Sequence, residues 1–117
     1  MVNYQARLDR VFGALGSPTR RAILMRLERG DGVSVSELAQ PLAMKLPALL
    51  KHLDVLENAC LITREKMGRT MYVHFASAPM AEAADWLRRY ERFWSRSLDR
   101  LVVYAEKKEL QAKKGRL

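Results

Sequence analysis

The chain has 117 residues, 49% of them hydrophobic, and its 21 Lys and Arg against 13 Asp and Glu give a formal charge of +8. A chain of this length builds one core without staples; its apolar content excludes a disordered polymer, and its basic excess suits a polyanion, either nucleic acid or an anionic membrane surface. No signal peptide and no bilayer-spanning apolar run are expected, and the single cysteine, Cys60, excludes an intramolecular disulfide, which fits a reducing cytoplasm.

Leu8, Val11, Phe12 and Leu15 recur at i, i+3, i+4 and i+7, so the chain from about Asn3 to Leu15 is predicted to be an amphipathic helix that Gly16 stops. Ser17-Pro18 restarts a helix, with the serine as N-cap and the proline at the first helical position. Ile23, Leu24 and Leu27 point that helix inward, and Gly30-Asp31-Gly32 closes it.

Ser34 and Glu37 have the spacing of a capping box, in which each side chain satisfies a free backbone N–H of the other residue. Behind the cap, Val35, Leu38, Ala39 and Leu42 form one apolar face, and Pro41 is expected to end or kink this short helix. Ala43 to Lys45 make the connection, and Pro47 opens the next helix. There Leu49, Leu53 and Leu56 share one face, leaving Pro47, Lys51 and Asp54 opposite, with Ala48, Leu50 and Val55 flanking. A short helix clamped behind a second one with a buried back and an exposed front has the form of a helix-turn-helix reading head.

Two strands are expected next, Ile62 to Lys66 and Thr70 to Phe75, around Met67-Gly68. Arg64, Lys66 and Arg69 make this hairpin basic, as in a wing that touches the DNA backbone. From Pro79 to about Glu106 the periodicity predicts one long helix. Its broad stripe includes Trp86, Tyr90, Phe93, Trp94, Leu98, Leu101 and Tyr104, and Glu82, Asp85, Arg88, Arg92 and Asp99 lie on the other side. A stripe so wide and aromatic is expected to meet a second subunit as well as its own domain. Residues 107–117 are expected to be a basic, frayed tail after a DNA-binding and dimerisation domain over residues 1–106.

At this point the residues resemble a known family. Leu15-Gly16-Ser17-Pro18-Thr19-Arg20-Arg21-Ala22-Ile23-Leu24 is similar to the opening signature of ArsR-type winged-helix repressors. So are Ser36-Glu37-Leu38-Ala39, Met44-Lys45-Leu46-Pro47-Ala48 with Lys51-His52-Leu53, and Gly68-Arg69. Phe93-Trp94 with Leu98-Asp99-Arg100-Leu101 resembles one branch of the family. The likeness covers about Leu8 to Ala105. It implies a mainly α fold with a small β-hairpin, a winged helix-turn-helix, paired through its first and last helices as a repressor of its own or a neighbouring operon. The interface would use Leu8, Val11 and Phe12 of the first helix and Trp86, Tyr90, Phe93, Trp94 and Leu101 of the last.

The chain departs from that family at three positions. Lys45 stands where a capping serine is usual and offers no acceptor; Leu50 replaces a serine on the flank of the DNA face; Cys60 replaces a glycine and costs roughly 1–2 kcal/mol if its backbone is left-handed. Cys60 itself is expected to be a small, partly buried side chain. Family members that sense metals carry cysteines on the first reading-head helix or histidines on the last. Here Glu37-Leu38-Ala39-Gln40 holds no cysteine, the last helix holds no histidine, and His52 and His74 sit apart, so neither metal nor cofactor is expected. No nucleophile motif or phosphate-cradling loop suggests an enzyme.

The expected function is sequence-specific binding of a double-stranded operator by a homodimer in the cytoplasm, with no membrane partner and the effector left open. Pro47, Ala48, Leu50, Lys51 and Asp54 are expected to face the major groove, with Lys45 at the helix start. Arg20, His52, Arg64, Lys66 and Arg69 are expected to hold phosphates, while thymine methyls and DNA shape supply selectivity. A winged-helix protein-interaction module is the second reading, kept open by Lys45, Leu50 and Asp54. A basic membrane-surface protein is the third.

Overall fold

The computed structural model describes residues 3–115, without the side chains of residues 97–99 and 114–115. The elements in order are α1 (Tyr4–Leu15), α2 (Pro18–Leu27), β1 (Val33–Ser34), α3 (Val35–Leu42), α4 (Leu46–Asn58), β2 (Ile62–Met67), β3 (Thr70–Phe75), α5 (Ala78–Arg88) and α6 (Glu91–Gly115). They fall into two compact units, one ending at Ala84 and the other beginning at Asp85.

In the first unit the helix starts follow the capping chemistry. Asn3 Oδ1 accepts from the Ala6 N–H at 2.8 Å, and Ser17 Oγ accepts from the Arg20 N–H at 3.3 Å. At α3, Ser34 Oγ accepts from the Glu37 N–H at 3.2 Å, but the Glu37 carboxylate takes the Ser34 hydroxyl, at 3.1 Å, instead of reaching the serine backbone N–H. Ser34 is at once a cap and a strand residue, because β1 pairs with β3 through Val33–Val73 and Ser34–Tyr72. The expected hairpin is therefore the larger part of a three-stranded antiparallel sheet in the order β1-β3-β2. Two residues were too few for alternation to reveal the third strand.

The core gathers Val11, Ile23, Leu27, Leu38, Leu61, Ile62 and Val73 around the back of α4. Leu8 and Val11, expected to meet a second subunit, are 6% and 1% exposed and belong to this interior. Both sit on the stripe of α1 that the protomer's own packing consumes, so they are withdrawn from any interface. Arg7 of α1 also reaches Glu82 of α5, with Nη2 3.1 Å from Oε1.

The single helix expected over 79–106 is two helices. Arg89 N–H donates to the Trp86 carbonyl, Tyr90 N–H to Leu87 and Phe93 N–H to Tyr90. These three-residue closures tighten the backbone and end α5 without any Gly or Pro, which is why hydrophobic periodicity runs straight through the break. In the second unit the Trp86 and Tyr90 rings meet at a tilt of 54° with centroids 5.1 Å apart. α6 continues to Gly115, nine residues beyond Glu106, where the sequence suggested fraying. The side chains of Leu98 on the expected stripe and of Asp99 on the opposite side, together with Arg116 and Leu117 of the expected tail, lie outside what is described.

Candidate nucleic-acid interface

Leu49, Leu53 and Leu56 are wholly buried, and they fix α4 by its back. That orientation leaves Pro47, Ala48, Lys51 and Asp54 exposed at the front, with Leu46 and Leu50 on the flank towards the hairpin. α3 ends at Leu42, one residue past Pro41, and Ala43 turns the chain with a left-handed backbone (φ 48°) that a Cβ tolerates poorly. Lys45 is the N-cap of α4 with extended backbone and no side-chain cap bond, so the helix start keeps its N–H groups unclaimed by a cap.

The hairpin follows at once. β2 and β3 run in register from Ile62–Phe75 to Met67–Thr70, and Gly68 takes the positive φ of the turn at 65°. Lys66 and Arg69 stand exposed at its tip. An open cleft of about 440 Å³ separates it from α4, lined by Val35, Leu46, Leu50, Arg64, Arg69 and Met71 among others.

Two of the arginines expected at phosphates are occupied inside the protein. Arg64 Nη2 donates to Asp54 Oδ1 at 2.7 Å and to Glu57 Oε1 at 3.1 Å, while its Nε donates to Glu57 Oε2 at 2.9 Å. The hydrogen bonds to Glu57 and Asp54 raise the guanidinium above its ordinary value, and the bond from Arg64 holds the Glu57 carboxyl below its own. Arg20 donates from Nε to the Ala14 carbonyl at 2.8 Å and from Nη2 to that of Gly13 at 3.1 Å. Its Nη1 lies 3.2 Å from His52 Nδ1, which accepts because a guanidinium only donates. Arg21 likewise reaches the Leu15 carbonyl at 2.7 Å. These contacts close the carboxyl end of α1, where the free carbonyls attract cations. Periodicity and charge counting missed that role. The adjacent arginines just past a helix-stopping glycine were the available signal.

Cys60 has a left-handed backbone (φ 59°) at the exit of α4, but its side chain is exposed rather than partly buried. The tight exit forces the residue outward, and the core beneath is filled by Ala59 and Leu61. Among the described residues, no three His, Cys, Asp or Glu side chains group to hold a metal ion, and no helix is long and apolar enough to cross a membrane.

A reading helix anchored by its back, a short helix behind it and a basic hairpin beside it make this a winged helix-turn-helix protein. A helix-turn-helix domain family model matches residues 15–65. HTH-type transcriptional regulator Rv2034 of Mycobacterium tuberculosis is 37% identical over 90 residues, spanning 77% of this chain and 80% of that one. Transcriptional repressor SdpR of Bacillus subtilis is 28% identical over 80 residues, spanning 68% and 88%. The crystal structure of an ArsR family transcriptional regulator, RHA00566, superposes with a TM-score of 0.72 at 39% identity, covering 81% of this chain and 97% of that one. The chain belongs to the ArsR-type family of winged helix-turn-helix transcriptional regulators.

Proposed function

We propose that this regulator is a homodimeric repressor that binds a two-fold double-stranded operator in the cytoplasm, of its own or a neighbouring operon, without sensing a metal and without enzymatic activity. The observation that carries the reading is the pose of α4, locked by three wholly buried leucines with Lys51 on its free face and Lys66 and Arg69 exposed at the wing tip. Pro47, Ala48, Leu50 and Lys51 meet the major groove; Lys66 and Arg69 meet phosphates, with the start of α4 at Lys45 beside them. Arg20 and His52 hold α4 against the end of α1 and act behind the DNA face.

Dimerisation falls to the last helix. Phe93 and Leu101 are 67% and 62% exposed, and Tyr90, Trp94 and Tyr104 are exposed beside them in sequence. Leaving that apolar surface in water is costly, and a second copy of the same helix removes it. The name of the repressor relative supports the direction of regulation. The lack of a cysteine in α3 and of a histidine in α6 supports metal independence.

Binding selection on random duplex DNA tests the reading. Recovery of an inverted repeat, bound by a species of twice the chain mass in sedimentation equilibrium, is the expected result. A library that enriches no duplex would sink it and leave the second reading, a protein-interaction module, which the internal use of Arg20 and Arg64 favours.

A further inference from the structure

The free face of α4 is divided along its length. From Leu46 to Leu50 no side chain can give or take a hydrogen bond, and Leu46 and Leu50 are 51% and 38% exposed. The carboxylates come later on the helix, at Asp54 and Glu57, and both are engaged by Arg64 from the hairpin. In a helix-turn-helix the N-terminal residues of the reading helix are the ones that contact base edges. Here those residues are apolar, with Lys45 at the cap before them and Lys51 after them on the front.

The major groove offers one apolar feature to such a surface, the C5-methyl group of thymine. We propose that this regulator reads pyrimidine C5-methyl groups through Leu46, Pro47 and Leu50, and that Arg64 is a positioning residue that withholds Asp54 from the bases. The inference rests on the DNA-binding reading above and deepens it. An Asp54 free of Arg64 would accept from cytosine N4, an opposite preference at its position. With the carboxylate engaged, the apolar edge decides the sequence, and Lys51 adds attraction to phosphates or guanine.

The test uses wild-type protein and the duplex recovered by selection. Each thymine of one half-site is replaced in turn by deoxyuridine, which removes the methyl and keeps every hydrogen-bonding group. At one or two positions affinity should fall about fourfold, the equivalent of about 0.8 kcal/mol for one buried carbon. Substitution in both half-sites should give about fifteenfold. Leu50→Gln should bind the thymine and deoxyuridine duplexes alike, and Arg64→Gln should shift the preference towards cytosine next to the methyl-sensitive position while its overall affinity falls. If no thymine-to-deoxyuridine replacement changes affinity while the selected duplex still outcompetes a scrambled one, methyl reading is wrong and DNA recognition stands. If no duplex is ever enriched, both fall together.

Discussion

Arg64 offers a test in which two physical roles give opposite outcomes. As a phosphate ligand it would strengthen DNA binding by direct contact; as a clamp on Asp54 and Glu57 it would do so by neutralising carboxylates beside the groove. Its side chain is 20% exposed, and its partners are more open, so Arg64→Ala should cost only about 1 kcal/mol of folding stability. The bond from Arg64 holds the Glu57 carboxyl below its ordinary value, so this stability is present above the unfolded carboxyl value and is lost as pH falls through the folded one. The melting difference between wild type and variant should therefore be full at neutral pH and close in acid. DNA affinity should fall more. At about 8 Å from a phosphate and an effective dielectric of about 40, each freed carboxylate opposes binding by about 1 kcal/mol, close to fivefold. The decisive variant adds Asp54→Asn and Glu57→Gln to Arg64→Ala. Fluorescence anisotropy across a salt series should show the triple variant recovering wild-type affinity for non-specific duplex with an unchanged salt slope. A triple variant that stays weak, with its slope reduced by about 0.9 per lost contact, would refute the clamp and return Arg64 to the phosphates.

The remaining predictions concern backbone and caps, and thermal melting reads each of them. Lys45→Ser supplies the acceptor that the start of α4 lacks and should stabilise the fold by about 0.5–1 kcal/mol, while affinity for DNA falls through the lost charge. Cys60→Gly relieves a left-handed backbone and should gain about 0.5–1 kcal/mol net of glycine's entropy; an unchanged melting temperature would mean that the exit of α4 relaxes at no cost. Gly32→Ala should destabilise, because a Cβ there would lie 2.4 Å from His74 Cε1; a fully stable variant would show that His74 has room to swing away.

The elements that position α4 were legible from residue spacing. Leu49, Leu53 and Leu56 recur at the helical period and are all wholly buried, and the alternation around Val73 gave a strand at the expected place. Ser17-Pro18 and Ser34 also work as the caps that their types suggest. Such features are local, so a few neighbouring residues contain their whole cause. The break at Arg89-Tyr90 was not legible, because backbone closures end α5 while the apolar stripe continues. Leu8 and Val11 were misassigned for a related reason. Periodicity shows that a face will be covered, and it is silent on whether the protomer or a partner covers it.

The basic residues show most clearly where local reasoning stops. A charge of +8 suggests a polyanion, but it does not say which cations face outward. Arg64 meets Asp54 and Glu57 only because β2 returns beside α4, and Arg20 meets Ala14 and Gly13 only because Gly16-Ser17 folds α2 back on α1. Arg20 sits inside a family-like stretch and Arg64 in the basic hairpin, and both are used to brace the reading helix. Arg7 is paired with Glu82 as well. The cations left at the face are Lys45 and Lys51 on α4 with Lys66 and Arg69 on the wing, a thinner set than the total implies. With few charges to attract phosphates and no hydrogen-bonding side chain between Leu46 and Leu50, selectivity must come from contacts that charge does not provide. Under the DNA-binding reading proposed above, the apolar start of α4 would be where operator choice is decided, with the bracing arginines holding it in place rather than serving as further phosphate ligands.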